Sequence, residues 1–368
     1  MRKQPEEVIS NVERVGVGII GCGNISGIYL KNFHSFKSVK VVACADIDIE
    51  RARAKAQEFN IPKACSVEEL LSDPDVQIVV NLTVPTSHAQ VSMAALEAGK
   101  HVYTEKPLAV SLEDGKRILE AAASKGLLVG GAPDTFLGGG LQTCRQIIDD
   151  GLIGKPIGAT AFMVGRGPED WHPNPAFFYQ EGGGPMFDMG PYYLTALVAL
   201  IGPVKRIAGC TSTPFGERTT MSGVKIPVSI PTHVAGLLEF ENGAVGTIIT
   251  SFDVWGSKLP HIEIYGERGT ISVPDPNTYD GPVFLKPGSG DWREIPVTKG
   301  YTDNSRGIGL ADMVDAMRTG REHRANSALL YHVLEIMHGI HISSNEGRHY
   351  EVSTLLQRPN PLDPTTRF

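Results

Sequence analysis

Long hydrophobic runs are missing from this 368-residue chain: no stretch approaches the ~18 apolar residues of a membrane span. Basic runs are missing too. With a formal net charge of −7, neither a nucleic acid nor an anionic membrane surface is expected as a partner. Cysteine is sparse. The five (Cys22, Cys44, Cys65, Cys144, Cys210) are scattered, odd in number and never in a C-x-x-C pair, which argues against a disulfide framework or zinc knuckle and for a reducing interior. The opening "MRKQPEEVISNVER" turns acidic at once, holds Pro5 and lacks the apolar core of a signal peptide, so a cytoplasmic location is expected. Internal repeats and low-complexity tracts are absent as well.

What remains is ordinary soluble composition, 41% hydrophobic and 20% charged, with length for two domains at ~100–200 residues each. Residues 14–131 alternate strand-like and helix-like segments. The strand candidates are "VGVGII", "VKVVACAD", "VQIVVN", "HVYT" and "GLLVGG", nearly continuous apolar runs of the kind that helices cover on both faces. This alternation predicts an α/β, Rossmann-type doubly wound domain over 14–133, preceded by an arm at 1–13. "GGAPDTFLGGG" breaks the pattern. Beyond it, Asn242-Gly243 between two apolar runs has the chemistry of a tight hairpin, and helices are expected at 185–201, 308–319 and 325–343. Residues 134–368 are therefore predicted to form an α+β domain with a large, mostly antiparallel open sheet.

"GVGIIGCGNISG" runs from the first strand into a glycine turn. Gly21 permits the bend, Gly23 lets backbone approach a pyrophosphate, and small Ser26 stands where the dinucleotide fingerprint has its third glycine. The following helix start offers N–H groups to phosphate. Cys22 reads as a structural thiol. Asp46, at the end of the second strand, suits the adenosine ribose hydroxyls and repels a 2′-phosphate, a field that Asp48 and Glu50 reinforce. NAD is thus expected over NADP.

"HVYTEKPLA" places Glu105, Lys106 and Pro107 at a strand end, where open α/β sheets bind ligands. Here, and in "NLTVPTSHAQVSMAALEAGKH" and "GGGPMFDMGPYY", the chain resembles the Gfo/Idh/MocA oxidoreductases over essentially its whole length. The resemblance implies that Lys106 is the catalytic lysine near the nicotinamide. It implies cofactor contacts from Asn24, Ile25, Thr83, Pro85, His88 and Glu105, and a cis Lys106–Pro107 bond as in some members. Asp188 and Tyr192, four apart, share one face of a helix start. The common family pattern has histidine where Tyr192 stands; tyrosine there resembles glucose–fructose oxidoreductase and dihydrodiol dehydrogenase.

These residues point to oxidation of a secondary alcohol of a sugar, cyclitol or sugar derivative. Tyr192 is read as proton acceptor, its pKa drawn down from ~10 by the Lys106 ammonium, with Asp188 holding substrate or lysine; the roles of Tyr192 and Lys106 are interchangeable at this level. In "GPEDWHPNPAFFYQEGGG", His172, Trp171 and Asn174 are candidate substrate contacts, and Asp134 is a candidate for the cleft wall. His332, Glu335, His338 and His341 are three apart, whereas metal-binding helices usually pair ligands four apart; an interface or surface helix is expected, with no metal. Competing readings are a redox-neutral, NAD-retaining glycosidase or epimerase, a dihydrodiol-type dehydrogenase, and a non-catalytic sensor. A homodimer or homotetramer through the second-domain sheet is expected by family analogy.

Overall fold

A computed structural model describes residues 14–298, 300–363 and 365–368; the proposed arm at 1–13 lies outside them. The first sheet holds β1 (Val15–Ile20), β2 (Val39–Ala45), β3 (Lys63–Cys65), β4 (Ile78–Asn81), β5 (His101–Thr104) and β6 (Val129–Gly131). All pairs are parallel, in the order β3-β2-β1-β4-β5-β6. The order reverses between β1 and β4, and the carboxyl ends there form the crevice in which such sheets bind ligands. β1 and β4 are buried along their whole length, which explains their unbroken apolar sequence. The helices between them are α1 (Ser26–Phe33), α2 (Ile49–Phe59), α3 (Val67–Ser72), α4 (His88–Glu97) and α5 (Leu112–Lys125). Five strands were expected. The sixth, β3, is a three-residue edge strand too short to show a pattern.

After α6 (Gly139–Asp149), the second sheet begins with β7 (Pro156–Val164). Residues 185–201, expected as one helix, divide at Met189 into α7 (Gly184–Asp188) and α8 (Gly190–Leu200). Pro191 sits in the first turn of α8, where its missing N–H costs no helical bond. There follow β8 (Val204–Ser212), β9 (Glu217–Thr219), β10 (Lys225–Pro227), β11 (His233–Phe240), β12 (Val245–Ser251), β13 (Ile262–Gly266), β14 (Gly269–Val273), β15 (Val283–Pro287) and β16 (Arg293–Ile295). The chain finishes with α9 (Ile308–Thr319), α10 (Ser327–Glu346) and β17 (Tyr350–Glu351). Nine strands pair as β16-β15-β14-β13-β7-β12-β11-β8-β17, and only β7 with β12 runs parallel. β9 and β10 form a separate ribbon. The expected hairpin at Asn242-Gly243 joins β11 to β12.

α10 was expected as an interface or surface helix, and the structure corrects this. It is a core helix packed against β8 and α5, with His332 and Glu335 buried. Each polar group of the three-spaced set takes its own partner. His332 Nε2 accepts the Val204 N–H at 3.1 Å, and Glu335 accepts the N–H groups of Ser353 (2.8 Å) and Thr354 (2.9 Å). His338 Nε2 faces the Val110 carbonyl and His341 Nδ1 the Met337 carbonyl.

Asp134 is not on the cleft wall. It is buried, and its carboxylate accepts from the hydroxyls of Tyr103 (2.8 Å) and Tyr279 (2.6 Å) and from the N–H groups of Gly307 (2.9 Å) and Gly309 (3.0 Å). One carboxylate thus ties β5 to the loop before β15 and to the start of α9, where a negative charge also suits the helix dipole.

Candidate active site

The glycine turn lies at the reversal point. Gly21 has φ +101°, and a Cβ there would come within 2.6 Å of the Leu82 carbonyl group just past β4, so only glycine fits. At Gly23 a Cβ would meet nothing within 4 Å. Among the described residues no acceptor meets the N–H groups of Gly23, Asn24 or Ile25. Open space beside unused donors at a helix start is a cradle for phosphate, so the turn fits a dinucleotide. Ser26 replaces the third glycine at no cost: it is fully buried, and its hydroxyl donates to the Gly23 carbonyl at 2.7 Å. Cys22 is buried, and its contact with Cys44 and then burial push the thiol up, away from nucleophilic chemistry. Asp46 accepts the Cys22 N–H at 2.7 Å and the Asp48 N–H at 3.0 Å, which fixes its carboxylate against the turn. Each carboxylate oxygen keeps a further lone pair for a hydroxyl. Asn24 is exposed beside the turn.

Ile25, Thr83, Pro85, His88, Glu105 and Lys106 line one cleft of about 640 Å³ together with Asp188 and Tyr192 from the second half of the chain. Glu105, buried, accepts the Tyr29 hydroxyl at 2.7 Å and the Lys106 N–H at 2.9 Å. The Lys106–Pro107 bond is cis. The His88 ring, also buried, spans the Pro107 carbonyl (2.7 Å) and the Thr83 carbonyl (3.0 Å), and burial holds its pKa below the usual range.

Lys106 Nζ donates to Asp188 Oδ1 at 2.9 Å and to the Asp188 carbonyl at 2.6 Å, and lies 5.4 Å from the centre of the Tyr192 ring. Burial opposes its charge, but Asp188, Tyr192 and Glu105 outweigh it and hold the ammonium above its ordinary range. Tyr192 departs from the expectation of a lowered pKa. Burial raises the phenol, and the opposing pull of Lys106 and Arg306 does not cancel it. At neutral pH Lys106 therefore keeps its charge and Tyr192 its proton, while the His88 ring is neutral.

The far wall is aromatic, with Trp171, Phe177, Phe178 and Phe252. Of the three expected substrate contacts only Trp171 lines the cleft. The His172 ring sits edge-on to Phe177 and Phe178, its Nδ1 accepting the Asn174 N–H at 3.1 Å, so both residues serve the loop's own structure. Two residues were missed from sequence. Arg166 lines the cleft, and Arg306, held by Asn277 Oδ1 at 2.6 Å, lies close enough to Tyr192 for its charge to pull on the phenol. Nothing in their local sequence marks either arginine; only the fold brings them to Tyr192 and Lys106.

Residues 15–131 match the family description "Oxidoreductase family, NAD-binding Rossmann fold", and residues 141–272 match "GFO/IDH/MocA C-terminal domain". The chain belongs to the Gfo/Idh/MocA oxidoreductase family. It is 28% identical to 1,5-anhydro-D-fructose reductase of Ensifer adhaerens over 260 residues, 69% of this chain and 74% of the relative. It is 25% identical to myo-inositol 2-dehydrogenase of Thermotoga maritima over 277 residues, 75% and 79% of the two chains. A levoglucosan dehydrogenase solved with NADH superposes with a TM-score of 0.80 at 22% identity, covering 93% of this chain and all of that one, which shows the shared fold. The family makes the chain an NAD(P)-dependent oxidoreductase with an NAD-binding Rossmann domain. Among the described residues no helix is long and apolar enough to cross a membrane.

Proposed function

We propose that this chain interconverts a secondary alcohol and a ketone on a sugar, cyclitol or sugar derivative, with NAD as the hydride carrier. The observation that carries this reading is the meeting of Lys106 with Asp188 and Tyr192 in one cleft at the sheet's carboxyl edge. NAD, when bound in the turn, accepts or returns the hydride. Gly21, Gly23 and Asn24 form its phosphate cradle, and Asp46 takes the ribose hydroxyls and disfavours a 2′-phosphate. Ile25, Thr83, Pro85, His88 and Glu105 position the rest.

Within the cleft Lys106 is committed twice over to Asp188, whereas the Tyr192 proton has no such commitment and two cations flank the phenol. Tyr192 is therefore the group that moves the proton of the substrate oxygen. Lys106 and Arg306 stabilise its phenolate, and Asp188 fixes Lys106. Trp171 and the aromatic wall cover the apolar face of a sugar or cyclitol ring. Support for the sugar class comes from relatives named for an anhydrofructose and an inositol. The open face of the second sheet, with Leu237 and Val245 half exposed, is proposed to join copies into a homodimer or homotetramer.

The test is a panel of sugars and inositols with NAD and with NADP, followed by nicotinamide absorbance. Reduction of NAD by at least one member supports the reading. Retained cofactor with no net change on any member contradicts it, and a preference for NADP overturns the role of Asp46.

A further inference from the structure

Arg166 lies two residues beyond β7 and lines the cleft. Its backbone is fixed on both sides: the Gly165 N–H donates to the Ser251 carbonyl at 3.0 Å, and the Arg166 carbonyl accepts from Arg218 at 3.2 Å. The guanidinium lies 4.0 Å from the centre of the Trp255 ring and 5.5 Å from that of Phe215, so the stack sets the plane of its fork. Nη1 is buried and meets no hydrogen-bond partner among the described residues.

The neighbouring cations have carboxylate partners. Lys106 pairs with Asp188 at 2.9 Å, and buried Arg218 lies 3.4 Å from Glu169 and 3.2 Å from Asp253. Among the described residues no carboxylate pairs with Arg166 in this way. A buried, unused N–H on a full charge is costly unless something occupies it, and the planar fork matches an acceptor-only group with two oxygens. The cofactor's phosphates have their own cradle at the turn, and of its residues only Ile25, not Gly21 or Gly23, lines the cleft that Arg166 also lines. The wall on Arg166's side belongs to the second domain, where the substrate must enter.

We infer that the substrate is a sugar derivative bearing an oxyanion, carboxylate or phosphate, which Arg166 binds while its hydroxyl carbon faces Lys106 and Tyr192. Naming it a substrate rests on the redox reading above; the anion subsite does not. The test is calorimetric titration of the NADH-loaded protein with galacturonate, galactose 6-phosphate and galactose. At least one charged sugar is expected to bind about 10-fold or more tightly than galactose, with the better one naming the anion. In Arg166→Met that ratio falls to near one, while Arg166→Lys, which keeps the charge without the fork, retains part of it. Equal or tighter binding of galactose, or a preference that survives in Arg166→Met, overturns the subsite. Nicotinamide absorbance separates the two ideas. Turnover of neutral sugars without advantage to charged ones sinks the subsite and leaves the redox reading. Charged-sugar selectivity without any absorbance change on the wider panel does the reverse.

Discussion

Gly21 and Gly23 are two residues apart and fail differently when given a side chain. Gly21→Ala puts a Cβ against the Leu82 backbone at a positive φ, so a loss of about 1–3 kcal/mol in stability is expected by chemical denaturation. Gly23→Ala meets open space, so its unfolding midpoint should stay at the wild-type value while NADH affinity drops, read by fluorescence titration. The pH profile is set by Tyr192. Oxidation needs the deprotonated phenol, and because burial holds its pKa above the ordinary value, the oxidation rate should climb from neutral into alkaline pH. Removing the ammonium in Lys106→Met should move that climb to higher pH; an unmoved profile would show that the lysine does not bias the phenol. Lys106 was singled out by the resemblance to the family, and Asp188 and Tyr192 by that resemblance and their four-residue spacing; the fold brings all three to one cleft. The direction of the phenol's shift was not legible, since burial, a property of the folded cleft, outweighs the neighbouring charge. Arg166 and Arg306 escaped for the same reason: what distinguishes them is which partners they lack or find in three dimensions.

Among the elements, the buried strands were the most legible, their apolar runs being the direct imprint of helices on both faces. β3 was not, because three residues at an edge carry no pattern. α10 was misplaced because polar histidines suggested an exposed face; His332 and His338 in fact meet backbone groups of other segments, and His341 a carbonyl of its own helix. That burial has a consequence for acid stability. Burial pushes His332 and His323 down to about 4, so between pH 6.5 and about 4 the unfolded chain binds protons that the folded one refuses. Stability should therefore be complete above about 6.5 and fall as pH drops, by up to about 1.4 kcal/mol per pH unit for each histidine. Denaturant titrations over this range should show a shallower decline in His332→Gln than in the wild type; parallel declines would contradict the assignment.

For the whole molecule, the succession of a parallel sheet by a mostly antiparallel one followed from the change of texture along the chain, and the Asp134 carboxylate that links the two parts did not. Asp134 read as a polar residue at a strand end, the usual place for a ligand group, whereas its four donors come from segments as distant as Tyr103 and Gly309. Asp134→Ala strands those donors in the interior, and a loss of about 3 kcal/mol or more in unfolding free energy is expected. The convergence of the two domains at the cleft is what the catalytic proposal requires, and turnover tests it most directly. On the best substrate of the sugar panel, kcat of Tyr192→Phe should fall by about 10²–10⁴-fold with NADH affinity preserved. Full turnover by the phenylalanine variant would contradict the assignment of the proton to Tyr192.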